Sequence, residues 1–387
     1  MDIKEFDKYV LPTYGRQAVM LNRGSHSVAY SGDGGDIVDF TSGIGCNSLG
    51  YVDDGWVAAV TEQLKSIQHT CNIYYNEQGG LFAKKICEYT GYKGVFYGNS
   101  GAEANECAIK ICRKYSFDKY GKGRGTIITL KDSFHGRTVT TLSATGQDSF
   151  HNYFFPFTEG FSYVEANSVE ALRSAVTDDV CGIMFEYIQG EGGVRPLTAD
   201  FVSEIFALAE KHDLVTIADE VQTGAGRTGR FLAGEHYGGT ADITTLAKGI
   251  GGGLPVGVCL AGEKVRGVLT PGTHGSTFGG NPVVLAGASY VLSKVTDSDF
   301  LRDAAQKGQY LRDKILAFKK VKECDGLGLM LGFSLDGITA GEVVKKALEQ
   351  GVAVLSAKDR MRLLPPLNIT GDEIDLGLER LKKVLDR

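Results

Sequence analysis

Seven short apolar segments recur between residues 95 and 262 of the chain. Many of their positions are β-branched or aromatic, and several are apolar at consecutive positions, which is typical of strands buried on both faces of a sheet. The predicted strands are residues 95–99, 126–130, 161–166, 181–188, 215–221, 243–248 and 256–262.

Segments with helical spacing of apolar residues separate many of these strands. Residues 100–117 and 200–212 each carry one apolar stripe at helical spacing. Because strands and helices alternate, we expect an α/β fold with a mostly parallel seven-stranded sheet that is covered on both faces. In open sheets of this kind, ligands bind beyond the carboxyl ends of the strands.

The last hundred residues follow a different pattern. A helix over 341–350 is predicted to stop at Gly351. A final helix over about 372–386 follows Thr370 and Glu373, which have the spacing of a capping box. We predict a large domain over 46–280. The segments 1–45 and 281–387 are predicted to fold together as a small α+β domain.

Composition and charge narrow the class of protein. Of 387 residues, 43% are hydrophobic and 23% are charged, which is ordinary for a globular protein and excludes a disordered or fibrous chain. The formal charge, 41 − 47 = −6, gives no reason to expect nucleic-acid binding. The N-terminus has no signal-like apolar region, and no apolar run reaches 18 residues, so we expect a cytoplasmic protein without a membrane span.

The cysteine and glycine counts refine this picture. None of the eight cysteines forms a Cys-x-x-Cys motif, and no Cys/His spacing suits zinc, so buried reduced thiols and no metal site are expected. The chain has 52 glycines and only 8 prolines, which indicates turns where the backbone approaches a ligand or another element.

One glycine-rich motif is a misleading match. Residues 224–229, GAGRTG, fit the G-x-G-x-x-G pattern of dinucleotide-binding folds. The following residues do not have a helical pattern that would receive a pyrophosphate, and Asp219-Glu220 place negative charge just before the motif. We therefore do not expect a dinucleotide site here.

A better anion site follows the first strand. Asn99-Ser-Gly-Ala-Glu103 opens the helix at residue 100, and Ser100 with Glu103 has capping-box spacing. Small residues at a helix N-terminus also expose backbone N–H groups to a phosphate. The residues alone leave both interpretations open.

Two charged residues end buried strands. Asp219 closes the strand at 215–221, where an ionised carboxylate is costly unless it meets a cation, such as a protonated ring nitrogen. Lys248 lies between the strand at 243–248 and a glycine-rich turn, a setting typical of a nucleophilic lysine with a depressed pKa. The alternative for Asp219 is a structural ion pair, and the alternative for Lys248 is an unremarkable lysine on a surface loop.

Together, these segments resemble the class III aminotransferases, which use pyridoxal phosphate and have fold type I. The resemblance extends over nearly the whole chain. It rests on TSGIGCNSLG (41–50), TCNIYYNEQ (70–78), NSGAEANECAIK (99–110), SFHGRT (133–138), QGEGG (189–193), ADEVQTG (218–224), LAKGIGGGLPVG (246–257), HGSTFGGNP (274–282) and MRLLPPLNIT (361–370).

The resemblance implies roles around the cofactor ring. Lys248 matches the lysine that bonds to the cofactor and moves a proton as general base and acid. Asp219 matches the carboxylate that keeps the pyridine nitrogen protonated. Gln222 matches a group near the ring hydroxyl, and Phe134 matches the aromatic ring that stacks on the pyridine.

The resemblance also implies a phosphate site that two subunits share. Ser100, Gly101 and Ala102 match the phosphate-binding turn. Thr277 matches a residue that reaches the phosphate from a partner subunit, so a homodimer with shared active sites is expected.

Four residues match substrate contacts of the family. Arg137 matches the residue that binds the carboxylate remote from the reacting amine. Arg362 matches the residue that binds the α-carboxylate of glutamate or 2-oxoglutarate, and Glu191 matches its partner when an ω-amine occupies the site. Tyr14 matches an N-terminal contact. Tyr187 replaces a proline that is common in the family, which puts the placement of Glu191 in question.

The function implied is transfer of the 5-amino group of N²-acetylornithine to 2-oxoglutarate, a step of arginine biosynthesis. Succinylornithine, ornithine, 4-aminobutyrate and succinyl-diaminopimelate remain alternative donors. A non-catalytic ligand-binding protein on the same scaffold is the alternative from another class, and it requires Lys248 or Asp219 to be idle.

Overall fold

The computed structural model describes residues 2–32 and 34–386, and a seven-stranded sheet forms its centre. The strands, in order across the sheet, are Gly94–Gly98, Gly257–Ala261, Ile243–Leu246, Val215–Asp219, Val180–Phe185, Thr126–Leu130 and Phe161–Val164. Each one falls on a predicted strand. Only Gly257–Ala261 runs antiparallel to its neighbours, so the prediction of a mostly parallel α/β sheet is confirmed.

Alternate residues of the central strands pack against different helices. Met184 and Ile217 join a buried cluster with the helix Gly101–Tyr120, whereas Ile183 and Phe185 join another with the helix Ala199–His212. Both faces are therefore buried, as continuous apolar strands require. The other helices of this region are Asp54–Ser66, Glu77–Thr90, Val139–Ala144, Val169–Ala175 and Pro282–Val295, with 3₁₀ turns at Asp148–Phe150, Ala233–His236 and Lys248–Gly251.

The two ends of the chain meet in a second sheet. It contains Leu21–Ser25, Val28–Ser31, Asp36–Asp39 and Val352–Ala353, and the last two strands pair in parallel. A third sheet contains Val321–Leu327, Met330–Leu335, Arg360–Leu363 and Leu355–Ala357. The accompanying helices are Ile3–Tyr9, Ser42–Gly45, Ser298–Leu316, Ala340–Glu349 and Gly371–Leu385. The domain limits at 45/46 and 280/281 stay a prediction.

The two predicted capping boxes differ. Thr370 and Glu373 cap the final helix reciprocally, as their spacing indicates. Ser100 accepts the N–H of Glu103, but Glu103 does not return the bond to Ser100. Its carboxylate accepts the backbone and side-chain N–H groups of Asn99 instead. This departure from the predicted box fixes Asn99, the residue just before the helix cap Ser100.

The GAGRTG segment has a packing role. A Cβ on Gly229 would lie 2.7 Å from the Cβ of Ala305, in the helix Ser298–Leu316. Arg227 is buried, and its guanidinium donates to the carbonyl groups of Leu329 and Pro365. Only the four-residue 3₁₀ turn Ala233–His236 follows, so no helix N-terminus faces these glycines.

No helix within residues 2–32 and 34–386 is long and apolar enough to cross a membrane.

A close contact between the chain ends leads to a stability prediction. A Cβ on Gly377 would lie 2.3 Å from Cζ of the buried Phe40. Although alanine favours helices, we expect Gly377→Ala to lower the free energy of unfolding by about 1–3 kcal/mol through overpacking. Denaturant titration measures this change.

The same helix offers a control. Gly371→Ala meets nothing within 4 Å and is expected to leave stability unchanged or slightly raised. Adding Phe40→Leu to Gly377→Ala is expected to recover part of the loss. Equal stability of Gly377→Ala and the unaltered protein would contradict the packing argument.

Candidate active site

A cavity of about 440 Å³ lies beyond the carboxyl ends of the central strands. Residues that end or follow five different strands line it: Ser100, Phe134, Glu186, Asp219 and Lys248. This is where an open α/β sheet places its ligand site, because parallel strands bring their carboxyl ends to one edge.

Lys248 enters the cavity from a strained position. It begins the 3₁₀ turn Lys248–Gly251 with φ of 46°, in the left-handed region that non-glycine residues rarely adopt. Its Nζ atom has no hydrogen-bond or ion-pair partner among the residues described. Burial lowers the pKa of Lys248, and the charge of Arg362 acts in the same direction, against Glu191 and Asp219. A neutral, unpartnered amine can act as a nucleophile.

Asp219 is buried, and three donors hold its carboxylate in place. Oδ1 accepts the backbone N–H of Val221 at 3.0 Å. Oδ2 is 2.8 Å from both Asn105 Nδ2 and His135 Nδ1. Thr245 in turn donates to Asn105 Oδ1, which sets the orientation of that amide. Carboxylate oxygens accept more than one hydrogen bond, so Asp219 can also accept a bond from a cationic donor in the cavity.

Glu186 connects two segments of the cavity wall. Oε1 accepts the N–H of Phe134 at 2.9 Å, and Oε2 accepts the N–H of Gly190 at 3.1 Å. Burial raises the pKa of Glu186 to about 7, although the charge of His135 opposes this. Glu186 therefore fixes both the loop that carries the Phe134 ring and the loop that carries Glu191.

The N-terminus of the helix Gly101–Tyr120 faces the cavity. Ser100 Oγ caps Glu103, while the N–H groups of Gly101 and Ala102 lie in the first turn, where an α-helix provides no acceptor. A Cβ on Gly101 would lie 2.7 Å from Val221, so glycine lets the turn approach the strand end. The turn has free N–H donors for a phosphate.

Arg362 and Glu191 form an ion pair next to Gln222, a residue of the cavity lining, although neither of the two lines the cavity itself. Arg362 is only 3% exposed, and its Nη1 donates to Glu191 Oε1 at 2.6 Å and to Gln222 Oε1 at 3.0 Å. Burial would raise the pKa of Glu191, but the charge and hydrogen bond of Arg362 bring it below its usual value. The buried Nε of Arg362 has no partner in the described structure, so a further acceptor oxygen fits there.

Tyr187 does not disturb this arrangement. Its ring is buried and stacks on Tyr237 with centroids 5.0 Å apart, and its carbonyl accepts the N–H of Leu197. The hairpin of Ile188–Gln189 and Arg195–Pro196 therefore forms, and Glu191 still reaches Arg362.

Arg137 also lines the cavity, but it has no acidic partner. It makes no hydrogen bond or ion pair with any residue in the described ranges. Its guanidinium carbon lies 4.6 Å from the ring centroid of Phe150 and 5.7 Å from that of Phe134. This cation is available to a carboxylate in the cavity.

Two predicted site residues lie elsewhere in the single chain. Thr277 is exposed in the loop before Pro282–Val295, and Tyr14 is 76% exposed beside Arg16. Neither is among the described residues that line the cavity. Their predicted contacts with phosphate and substrate stay predictions.

Two residues of the site were not identified as such from the sequence: Asn105, which orients Asp219, and Phe150, which contacts Arg137. Gln222 was predicted to lie near the cofactor ring, but its contact with Arg362 was not predicted. The helical stripe that includes Ala104 and Ala108 gave one usable signal, because polar Asn105 lies beside it at a buried position. Nothing in the sequence indicated Phe150, because an aromatic residue in a loop can serve packing as readily as function.

The side chains of this cavity fit pyridoxal phosphate. The cavity presents an unpartnered amine, a buried carboxylate held by three donors, an aromatic ring and a helix N-terminus with free N–H groups. These are complementary to the aldehyde, ring nitrogen, ring face and phosphate of that cofactor.

The class III aminotransferase family model matches residues 10–385, and the chain belongs to this family. It is 46% identical over 386 residues to an acetylornithine aminotransferase of Haemophilus ducreyi, covering 99% of this chain and 98% of the relative. It is 38% identical over 390 residues to a succinylornithine transaminase of Photorhabdus laumondii, covering 99% and 97%. The crystal structure of a Toxoplasma gondii ornithine aminotransferase superposes with a TM-score of 0.93 at 32% identity, covering 98% and 92%.

The charges around Lys248 lead to a prediction of opposite shifts. Glu191→Gln removes a charge that raises the pKa of Lys248, so the amine should react faster with formaldehyde and a reductant near neutral pH. Arg362→Gln removes a charge that lowers this pKa, so the reaction should slow. We expect changes of about two- to fivefold.

Reductive methylation of cofactor-free protein over pH 6–9, with peptide mass spectrometry, measures these rates. Exposed lysines in the same samples serve as internal references. Shifts of the same sign in both variants would show that the two charges do not set the reactivity of Lys248.

Proposed function

We propose that this chain is a pyridoxal-phosphate enzyme that transfers the 5-amino group of N²-acetylornithine to 2-oxoglutarate. The products are N-acetylglutamate 5-semialdehyde and glutamate, a step of arginine biosynthesis. One observation supports it above all: two arginines serve the site of Lys248, Arg137 in the cavity lining without an acidic partner and Arg362 beside the lining residue Gln222 with Glu191 as its partner.

The residues around the cofactor have distinct tasks. Bound pyridoxal phosphate supplies an aldehyde that takes up the amino group and a ring that accepts electrons. Asp219, oriented by Asn105 and His135, keeps the ring nitrogen protonated. Phe134 holds the ring face, and the N–H groups of Gly101 and Ala102 bind the phosphate. Lys248 Nζ removes a proton from the substrate carbon and returns it one position away.

The two arginines bind the substrates in different ways. N²-acetylornithine carries its carboxylate far from the reacting amine, where Arg137 binds it. No second carboxylate reaches Arg362 in this half-reaction, so Glu191 keeps that buried cation paired. Glutamate and 2-oxoglutarate have two carboxylates, and their α-carboxylate displaces Glu191. The same cavity thereby accepts an ω-amine and an α-amine in alternate half-reactions.

Succinylornithine is the nearest rival donor, because a succinylornithine transaminase is 38% identical to this chain. The donors differ in the acyl group on the α-nitrogen, and pockets discriminate such differences by only about 1–3 kcal/mol. The higher identity to acetylornithine aminotransferases favours the acetyl donor. Ornithine and other ω-amines are further alternatives.

The proposal includes a homodimer in the cytoplasm. Large apolar side chains such as Ile73, Tyr74, Tyr75 and Phe278 are exposed in the single chain, as expected of a surface that a second subunit covers. Thr277 lies next to Phe278 and is exposed outside the lining of its own cavity, so it is available to the phosphate site of a partner.

A spectrophotometric titration tests the reaction and the donor. The visible band of the lysine-bound cofactor should bleach when N²-acetylornithine is added without keto acid, and 2-oxoglutarate should restore it. Lys248→Ala should show neither change. If succinylornithine or ornithine bleaches the band and N²-acetylornithine does not, the acetyl donor is wrong. If no band forms after pyridoxal phosphate is added, the assignment as a pyridoxal-phosphate enzyme is wrong.

Mixed dimers test the shared site. Lys248→Ala and Thr277→Ala homodimers should each have little activity. After dissociation and reassociation together, half of the dimers should be mixed and should contain one site with both residues intact. Recovery of about a quarter of the full activity is expected, and no recovery would show that Thr277 does not serve the partner.

A further inference from the structure

We propose that Phe150 is a positioning residue that holds Arg137 ready for the distal carboxylate of the substrate without competing for its N–H groups. The proposal rests on the function given above and deepens it. It concerns how the site keeps two arginines in place by two different means, Arg137 in the cavity lining and Arg362 beside it.

An arginine that waits for a carboxylate must be held by something. Arg362 is held by Glu191, which leaves only when another carboxylate replaces it. Arg137 has no hydrogen-bond or ion-pair partner in residues 2–32 and 34–386. The contacts of its guanidinium within these ranges are the rings of Phe150, at 4.6 Å, and Phe134, at 5.7 Å.

Aromatic rings hold a guanidinium differently from a carboxylate. A ring attracts the cation through its face, and it uses none of the five N–H donors along the edge of the group. These donors stay free for a bidentate bond to a carboxylate. A carboxylate partner at Arg137 would instead have to be displaced in every half-reaction.

Phe150 is itself fixed relative to the loop that carries Ser133 and Phe134. Gly146 N–H donates to Ser133 Oγ, and Gln147 Nε2 donates to the carbonyl of Ser133 at 3.0 Å. These bonds fasten the 3₁₀ turn Asp148–Phe150 beside Phe134. The rings of Phe134 and Phe150 meet edge to face, 5.9 Å apart and at 65°. Phe150 therefore links the position of Arg137 to the ring that holds the cofactor face.

The demands of the two half-reactions agree with this arrangement. N²-acetylornithine and glutamate both carry a carboxylate remote from the reacting carbon, so Arg137 needs no exchangeable partner. Arg362 meets a substrate carboxylate in only one half-reaction. Of the two arginines, it alone has an exchangeable partner, Glu191. The geometry thus assigns a permanent aromatic support to the arginine with a constant task.

A pair of donors that differ only in the carboxylate tests this role. N-acetylputrescine is N²-acetylornithine without its carboxylate. In single-turnover bleaching of the holoenzyme, Phe150→Leu should raise the half-saturating concentration of N²-acetylornithine about three- to tenfold. The rate constant per unit concentration for N-acetylputrescine should change less than twofold. Phe150→Tyr, which keeps the ring face, should behave like the unaltered protein.

Phe154→Leu is the matched control. Phe154 is 62% exposed, and its ring contacts only Tyr153 among the described aromatic residues. Phe154→Leu should leave the constants measured for both donors unchanged. If the constants for both donors worsen equally in Phe150→Leu, Phe150 acts by packing on Phe134. If neither constant changes, Arg137 keeps its position without Phe150. Either result overturns the proposal.

Binding without turnover provides an independent readout. Calorimetry of the holoenzyme with glutarate should show a weaker affinity in Phe150→Leu than in the unaltered protein and in Phe154→Leu, and an unchanged affinity would overturn the proposal. If N²-acetylornithine fails to bleach the unaltered holoenzyme, the proposed donor is wrong. The glutarate titrations then still decide the role of Phe150.

Discussion

A guanidinium with 3% exposure cannot remain unpaired, and Arg362 imposes this constraint on the whole site. Its strand, Arg360–Leu363, belongs to a sheet that the C-terminal part of the chain builds, whereas Glu191 lies in the hairpin between Ile188–Gln189 and Arg195–Pro196. The ion pair therefore joins this hairpin to the C-terminal sheet beside the cavity. Its partner must be removable, because an α-carboxylate needs the same N–H groups, and Glu191 keeps part of its side chain exposed for that exchange.

The central sheet could be predicted from the sequence because its signal is local. Strands buried on both faces have consecutive apolar residues, and their neighbours are helices with a clear apolar stripe. All seven strands and the helices beginning at Gly101 and Ala199 follow this pattern. The strands near the N-terminus did not stand out, because Leu21–Ser25 and Val28–Ser31 are short and partly exposed. The direction of Gly257–Ala261 depends on pairing with distant strands, which no local pattern reveals.

The site could be predicted only where a residue type is unusual in its setting. A charged residue at the end of an apolar strand is unusual, which is why Asp219 and Lys248 stood out before any resemblance was considered. Asn105 and Phe150 are ordinary in their own segments, and their roles arise from contacts with other segments of the chain. The second half of the predicted box at Ser100 was wrong for a related reason. The carboxylate of Glu103 accepts two N–H groups of Asn99, whereas a capping box would have provided only the N–H of Ser100.

The two ways of holding arginine explain how the cavity can be rigid and adaptable at once. In the proposed reaction the negative charge of Glu191 moves aside from Arg362 when an α-carboxylate enters, so the electrostatic balance is preserved in both half-reactions. At Arg137 nothing charged has to move, because the faces of Phe134 and Phe150 stabilise the cation while its N–H groups remain available. Discrimination among ω-amine donors must then come from the groups around the acyl end of the substrate. The distal carboxylate is common to N²-acetylornithine, succinylornithine and ornithine, so Arg137 selects for a carboxylate at that distance and cannot separate the three.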